Sequence, residues 1–140
     1  MPYHPKCLLN VLHEWHAGAP RYSPKFFHVT VKWMKDMLIG LDYLHQSGVC
    51  HLDLKIDNLL ITFDDNAVIF DFSVLDKTDK PTNKYALPQY YCPPEAWPAE
   101  LHGERAFVDG ILFDVWSEGM VVFYILSNRW IERHLWGKTK

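Results

Sequence analysis

The chain has 140 residues, with 14 Lys+Arg against 17 Asp+Glu and a net charge of −3, which gives no global attraction toward nucleic acid or an anionic membrane. Hydrophobic residues make up 49% and charged ones 22%, which excludes a disordered polar chain and predicts a single domain. Aromatic residues are 15% of the sequence, and that much ring surface needs either a sizeable core or a partner to cover it.

In chain order, Leu8 to His16 reads as a short helix and Ala17-Gly18-Ala19-Pro20 as a turn. Ser23 is a good N-cap and Pro24 suits a first helical turn, so a long helix is expected from there to about His45. Its apolar positions step as Phe27, Val31, Met34, Leu38, Leu41 and as Thr30, Met34, Met37, Leu41, Leu44, the spacing of one buried face. Gly48 is a natural terminator. Val49-Cys50-His51 is short and apolar. Leu59 to Thr62 and Ala67 to Phe70 flank the turn-rich Asp64-Asp65-Asn66, which predicts a hairpin.

Asp76 to Lys84 is polar and reads as a mobile loop, and Pro88, Pro93, Pro94 and Pro98 interrupt regular structure after it. From Phe113 to Leu126 the chain is helical in character and apolar nearly all round, the pattern of a central helix. The tail from Asn128 carries Arg129, Arg133, Lys138 and Lys140, a solvated basic face. The longest apolar run, Met120 to Leu126, is too short to cross a bilayer. Three dispersed cysteines and the lack of a basic-then-apolar start predict a soluble cytoplasmic or nuclear protein.

The chemistry concentrates in His51-Leu52-Asp53-Leu54-Lys55-Ile56-Asp57-Asn58 and in Asp71-Phe72-Ser73 beyond the hairpin. The hairpin places Asp53, Asn58 and Asp71 at the ends of adjacent short elements, with Lys55 among them. An amide oxygen and a carboxylate are hard donors suited to Mg²⁺. A lysine could neutralise a phosphoryl group in transit, and a remaining carboxylate could deprotonate a hydroxyl. Competing chemistries lack their spacing. His13-Glu14-Trp15-His16 is not H-E-x-x-H, the histidines form no zinc pattern, Asp64-Asp65-Asn66 lacks the glycine and distal glutamate of a calcium loop, and Ser117 has no nucleophile elbow.

These segments resemble the eukaryotic protein kinase family, whose catalytic loop reads H-R-D-L-K-x-x-N and whose metal motif reads D-F-G. Tyr91-Cys92-Pro93-Pro94-Glu95 is similar to the Y-x-A-P-E that ends an activation segment, and Asp114 to Gly119 to the D-V-W-S-x-G of the central helix. The resemblance implies a protein-kinase-like α+β fold. The chain, 1–140, would be a partial kinase domain: a mainly α-helical C-lobe fragment with small β-hairpin elements and no N-lobe. It also implies a serine/threonine kinase acting on a protein substrate with ATP and Mg²⁺. Asp53 would be the catalytic base, and Lys55, whose presence is the pattern of the Ser/Thr branch, would sit beside the transferred group. Asn58 and Asp71 would hold the metal. Asp114 would accept hydrogen bonds from the catalytic-loop backbone, and His51 would be structural.

The departures are specific. Leu52 stands where many kinases have an arginine that pairs with a phosphorylated residue, so switching through Thr78 or Thr82 would not use that pair. Ser73 replaces the glycine of D-F-G. Leu87 or Pro88 stands where a threonine hydroxyl would contact Asp53 and Lys55. No G-x-G-x-x-G and no V-A-I-K-like strand occurs. These departures leave an alternative: a catalytically inactive kinase-like module that binds a protein. In neither case is a nucleic-acid or membrane partner expected.

Overall fold

The structure is a computed structural model that describes residues 5–18, 23–86, 90–97 and 103–128. Its elements are β1 (Lys6–Cys7), α1 (Leu8–Gly18), α2 (Pro24–Gln46), β2 (Val49–Cys50), a 3₁₀ turn (Ile56–Asn58), β3 (Leu59–Ile61), β4 (Ala67–Ile69), β5 (Asp76–Lys77) and α3 (Gly110–Ser127). The expectations for Pro20, Leu87, Pro88, Pro98 and the basic tail lie outside the described residues.

Helix α2 starts as its sequence predicts. Ser23 Oγ accepts from the Phe26 N–H at 3.2 Å, Pro24 occupies the first turn, and Gly48 takes a left-handed φ of 82° after the helix ends. Its buried stripe is Phe26, Val29, Thr30, Trp33, Met37 and Leu41. Of the two expected rows, the one through Thr30, Met37 and Leu41 lies on this stripe, whereas Phe27, Val31 and Leu38 of the other point outward. The helix carries apolar residues around most of its circumference, so periodicity alone could not choose between neighbouring stripes. Packing against the hairpin and α3 made the choice.

The β3–β4 hairpin pairs Leu59 with Ile69 and Ile61 with Ala67, and Asp65 turns it with a φ of 56°. It is fixed to α2 at three points. Lys32 Nζ donates to the Asp65 carbonyl at 2.9 Å, the Asp36 carboxylate accepts from the Ala67 N–H at 3.0 Å, and Ile69 lies close over Gly40. Strand β1 adds to the other edge of β3. Sequence pattern missed β1 because two residues show no period.

Asp76 to Lys84 is not a free loop. Strand β5 pairs with β2, Val49 opposite Lys77 and Cys50 opposite Asp76. Thr82 and Val108 exchange two backbone hydrogen bonds of 2.9 Å, and Thr82 Oγ1 donates to Asp76 Oδ2 at 2.7 Å. The polar side chains that suggested mobility are used here to close the segment on itself.

Helix α3 begins three residues before the expected Phe113, because Asp109 caps it through the Leu112 N–H at 3.1 Å. By length and composition α3 could cross a membrane, but half of it is buried in this fold, and Leu112, Val115, Phe123 and Leu126 remain exposed. Phe113, Met120, Val121, Tyr124 and Ile125 are buried. The first joins a cluster with Cys50, Leu52, Tyr85, Cys92, Ala96 and Val108. The others join the main core with α1, α2 and the hairpin.

The start of α3 approaches β2 so closely that a Cβ on Gly110 would lie 2.7 Å from Cys50 Sγ and 3.0 Å from its Cβ. Gly110→Ala should therefore cost about 1–3 kcal/mol through overpacking. Urea unfolding of the double variant Gly110→Ala/Cys50→Ala should show partial recovery relative to the sum of the two single losses; strict additivity would mean that the contact is not the cause.

Candidate active site

The stretch 51–58 is anchored from below by one buried carboxylate. Asp114 Oδ1 accepts from the Leu52 N–H at 2.7 Å and Oδ2 from the His51 N–H at 2.7 Å. His45 Nε2 lies 2.8 Å from the same Oδ2, so its N–H donates there. Leu52 takes a left-handed φ of 64° with its side chain fully buried. His51 is also buried. Its Nδ1 accepts from the Asp53 N–H at 3.3 Å, which leaves Nε2–H to donate to the Phe70 carbonyl at 3.2 Å. The histidine thus ties the loop to the hairpin and has a structural role.

Above this anchor the structure brings Asp53, Lys55 and Asn58 together. Lys55 Nζ donates to Asp53 Oδ2 at 2.7 Å. Asn58 Nδ2 donates to the same oxygen at 3.1 Å and to the Asp53 carbonyl at 2.9 Å. The amide orientation leaves Asn58 Oδ1 pointing elsewhere as an acceptor. Asp53 Oδ1 is buried with no hydrogen-bond partner among the described residues. The 3₁₀ turn that carries Asn58 is held by Tyr91, whose hydroxyl accepts from the Ile56 N–H at 3.2 Å and whose carbonyl accepts from Ser117 Oγ at 3.2 Å. Burial pushes the Tyr91 hydroxyl well above the usual phenol range.

Asp71 lies two residues past β4, exposed, with a left-handed φ of 63°. The Phe70 N–H donates to the Asn58 carbonyl at 3.0 Å, which brings the chain at Asp71 beside the loop. Its carboxylate forms no hydrogen bond or ion pair with a described residue, unlike the other three. Phe72 meets the His51 ring edge-on at 5.5 Å, and Ser73 is exposed.

Sequence reasoning missed His45, Tyr91 and Glu118 as parts of this arrangement. Glu118 follows Asp114 by one helical turn, is 5% exposed, and has an Oε1 with no hydrogen-bond partner among the described residues. Burial pushes its carboxyl up to about 7; the Asp114 charge adds to the rise and His45 opposes it. Only its polarity on an otherwise apolar helix could have signalled it. His45, Cys50 and Asp114 also place three donor atoms within 4.8 Å of one another. Both Asp114 oxygens already accept N–H donors, and the Cys50 thiol is pushed up to about 12, first by burial and then by Asp114, Asp109 and Asp76. The triplet is built for hydrogen bonding rather than for a cation.

Comparison with known proteins places the chain in a family. Residues 12–138 match the family model described as protein kinase domain. Among curated proteins, the calcium/calmodulin-dependent protein kinase kinase cmkC of Emericella nidulans is 37% identical over 95 residues, 65% of this chain and 18% of that protein. The probable serine/threonine-protein kinase KIN1 homolog of Encephalitozoon cuniculi is 36% identical over 99 residues, 69% of this chain and 16% of its own length. Serine/threonine-protein kinase Nek6 of Oryza sativa is 35% identical over 100 residues, 70% of this chain and 17% of its own. The chain spans less than a fifth of the length of these curated relatives.

The Tyr91 contact can be tested directly. Tyr91→Phe removes the acceptor from a buried backbone N–H, so denaturant unfolding should show a loss of about 1–3 kcal/mol. An unchanged midpoint would mean that the Ile56 N–H finds another acceptor.

Proposed function

The chain belongs to the protein kinase family, and from that premise we propose that it forms the catalytic-loop and metal-binding part of a serine/threonine kinase site. The reaction is transfer of the γ-phosphoryl group of ATP to a protein hydroxyl. The observation that carries this reading is the state of Asp53. One of its oxygens is occupied by Lys55 and Asn58, while the other is buried with no partner among the described residues. An acceptor held in place and left unsatisfied is what a general base needs in order to receive a hydroxyl proton.

The remaining residues divide the work around that acceptor. Lys55 keeps Asp53 oriented and brings a positive charge to where phosphoryl oxygens would lie. Asn58 and Asp71 are the residues that would hold Mg²⁺, and their donor chemistry fits it: a carboxylate with no partner among the described residues and an amide oxygen turned away from Asp53. When bound, Mg²⁺ supplies charge neutralisation to the phosphates. Asp57, exposed beside Asn58, gives a peptide substrate with a basic residue a favourable contact. A cytoplasmic or nuclear location accords with the sequence.

A second reading, a protein-binding module without transfer activity, is favoured by one observation. Ile39, Tyr43, Val68 and Phe72 line an exposed apolar groove between α2 and the hairpin.

Phosphate transfer from ATP to a serine/threonine peptide separates the two. Asp53→Asn should lower the rate by about 10²–10⁴-fold, the usual worth of a positioned base, and equal rates would overturn the catalytic reading. In a thermal-shift titration with Mg-ATP, Asp71→Asn should reduce any stabilisation seen with the unmodified protein. A shift of equal size in both would remove Asp71 from the metal set.

A further inference from the structure

Leu52, the left-handed residue beside Asp53, is held from two directions. Its N–H is given to Asp114 of α3, and its carbonyl accepts from the Ala86 N–H at 2.9 Å. Ala86 closes a stretch that begins at β5, and both ends of that stretch reach the loop, since Asp76 pairs with Cys50, two residues before Leu52. Between the ends stands Thr82, 3% exposed, with every polar atom engaged. Its Oγ1 donates to Asp76 Oδ2 at 2.7 Å and accepts from the Lys84 N–H at 3.0 Å. Its own N–H and carbonyl are exchanged with Val108, which directly precedes the α3 cap Asp109. Asp76 is fixed in turn, its Oδ1 accepting from the Lys77 N–H at 2.9 Å. One threonine therefore ties together the strand beside Cys50, the approach to α3 and the stretch that ends on Leu52.

We propose that Asp76 and Thr82 form a latch, closed without any phosphate group, that presents the Ala86 N–H to Leu52 and so fixes the backbone from which Asp53 departs. Thr82 is then a positioning residue for the loop. This rests on reading 51–58 as the catalytic loop. The stretch between the latch and the loop is short and well held. Tyr85 is buried against Phe113 with ring centroids 4.9 Å apart, and Arg105 donates to the Asn83 and Tyr85 carbonyls. What sets its direction of entry is the turn at Thr82, because the Oγ1 that grips Asp76 also receives the Lys84 N–H. A hydroxyl can donate and accept at once, so a single atom aligns two directions of the chain.

The same geometry leaves no room for a phosphate on Thr82 while the latch is closed. The hydroxyl is buried, its proton is given to a carboxylate, and a phosphate in its place would set negative charge against Asp76. Lys84 Nζ lies 3.9 Å from Asp76 Oδ2 and is largely exposed, so the ion pair adds little to the hold. The bond between the hydroxyl and the carboxylate, in contrast, is charge-assisted and shielded on the threonine side.

Hydrogen exchange followed by NMR on the unphosphorylated 140-residue chain tests the latch without a transfer assay. The Ala86 amide should be protected in the unsubstituted protein. In Thr82→Val, which keeps the shape and removes the hydroxyl, its protection relative to β3–β4 hairpin amides should fall by about 10–100-fold, the worth of a hydrogen bond to a charged group. Thr82→Ser should restore most of it. Asp76→Ala should give a similar loss, and the double variant Asp76→Ala/Thr82→Val little more, since the two side chains act through one bond. The Asp76 carboxyl, held below the usual aspartate range first by the Thr82 hydroxyl, should titrate higher in Thr82→Val. An unprotected Ala86 amide in the unphosphorylated chain overturns the proposal. So does protection that is unchanged in Thr82→Val, lost equally in Thr82→Ser, or lost additively in the double variant. A fall shared equally by the hairpin amides overturns it too, by giving Thr82 a general part in the core. Failure of these measurements leaves the kinase reading standing, and an inactive protein with the expected pattern counts against that reading alone.

Discussion

The buried carboxylate of Asp114 is the constraint on which the site depends. It accepts hydrogen bonds from two consecutive backbone amides and an imidazole while fully removed from water. Taking a carboxylate out of water costs several kcal/mol, and only a full set of charge-assisted donors offsets that. The requirement works in both directions. The amides must converge on the anion for it to be tolerated, and two successive N–H groups converge only when the backbone turns sharply between them. The left-handed φ of 64° at Leu52 supplies that turn. The direction in which Asp53 leaves the loop is therefore set from the middle of α3, more than sixty residues away in sequence.

A leucine in the left-handed region costs on the order of 1–3 kcal/mol. Here the side chain returns part of that by filling the second core cluster beside Tyr85, Cys92 and Phe113, and its carbonyl accepts from the Ala86 N–H at 2.9 Å. The substitution of leucine for the arginine usual in the family thus has a structural meaning. The segment after β5 meets the catalytic loop through apolar burial and a backbone hydrogen bond. Arg105 reinforces the segment from its other side, donating to the Tyr85 and Asn83 carbonyls at 2.6 and 3.1 Å. No ionic partner at position 52 is needed to hold that arrangement.

The parts of the structure that were legible in sequence are those fixed by local chemistry. Ser23, Pro24 and Gly48 bound α2, the Asp64 to Asn66 tripeptide turns the hairpin, and the spacing of His51, Asp53, Lys55 and Asn58 places a carboxylate and its neighbours on one short loop. What was illegible depends on pairing across distance. The two-residue strands β1, β2 and β5 have no period of their own, and they exist because β3 and the Cys50 segment offer them an edge. One of the two rows expected for α2 was misjudged, because Phe27, Val31 and Leu38 are as apolar as the buried row through Thr30, Met37 and Leu41. Tyr91 and His45 matter through hydrogen bonds spanning 35 and 69 residues, and although Tyr91, Ile56 and Asp114 stand in recognisable motifs, no motif says that these partners meet.

The two carboxylates of the site are constrained to different degrees, and the aromatic richness of the chain bears on the difference. Asp53 is buried and bonded on one oxygen, so its position follows from the core beneath it. Asp71 is exposed, and among the described residues its left-handed backbone is flanked by the Phe70 contacts to Asn58 and His51 and by the Phe72 ring on His51. Phe72 lies at the edge of the groove formed with Ile39, Tyr43 and Val68, half exposed. Two of the rings that the core does not absorb, Tyr43 and Phe72, thus lie next to the site residue that the core does not fix. Burial of Phe72 and the orientation of Asp71 are linked through a single peptide unit, so contacts made on that groove act on the Asp71 carboxylate while leaving Asp53 where the loop anchored by Asp114 holds it.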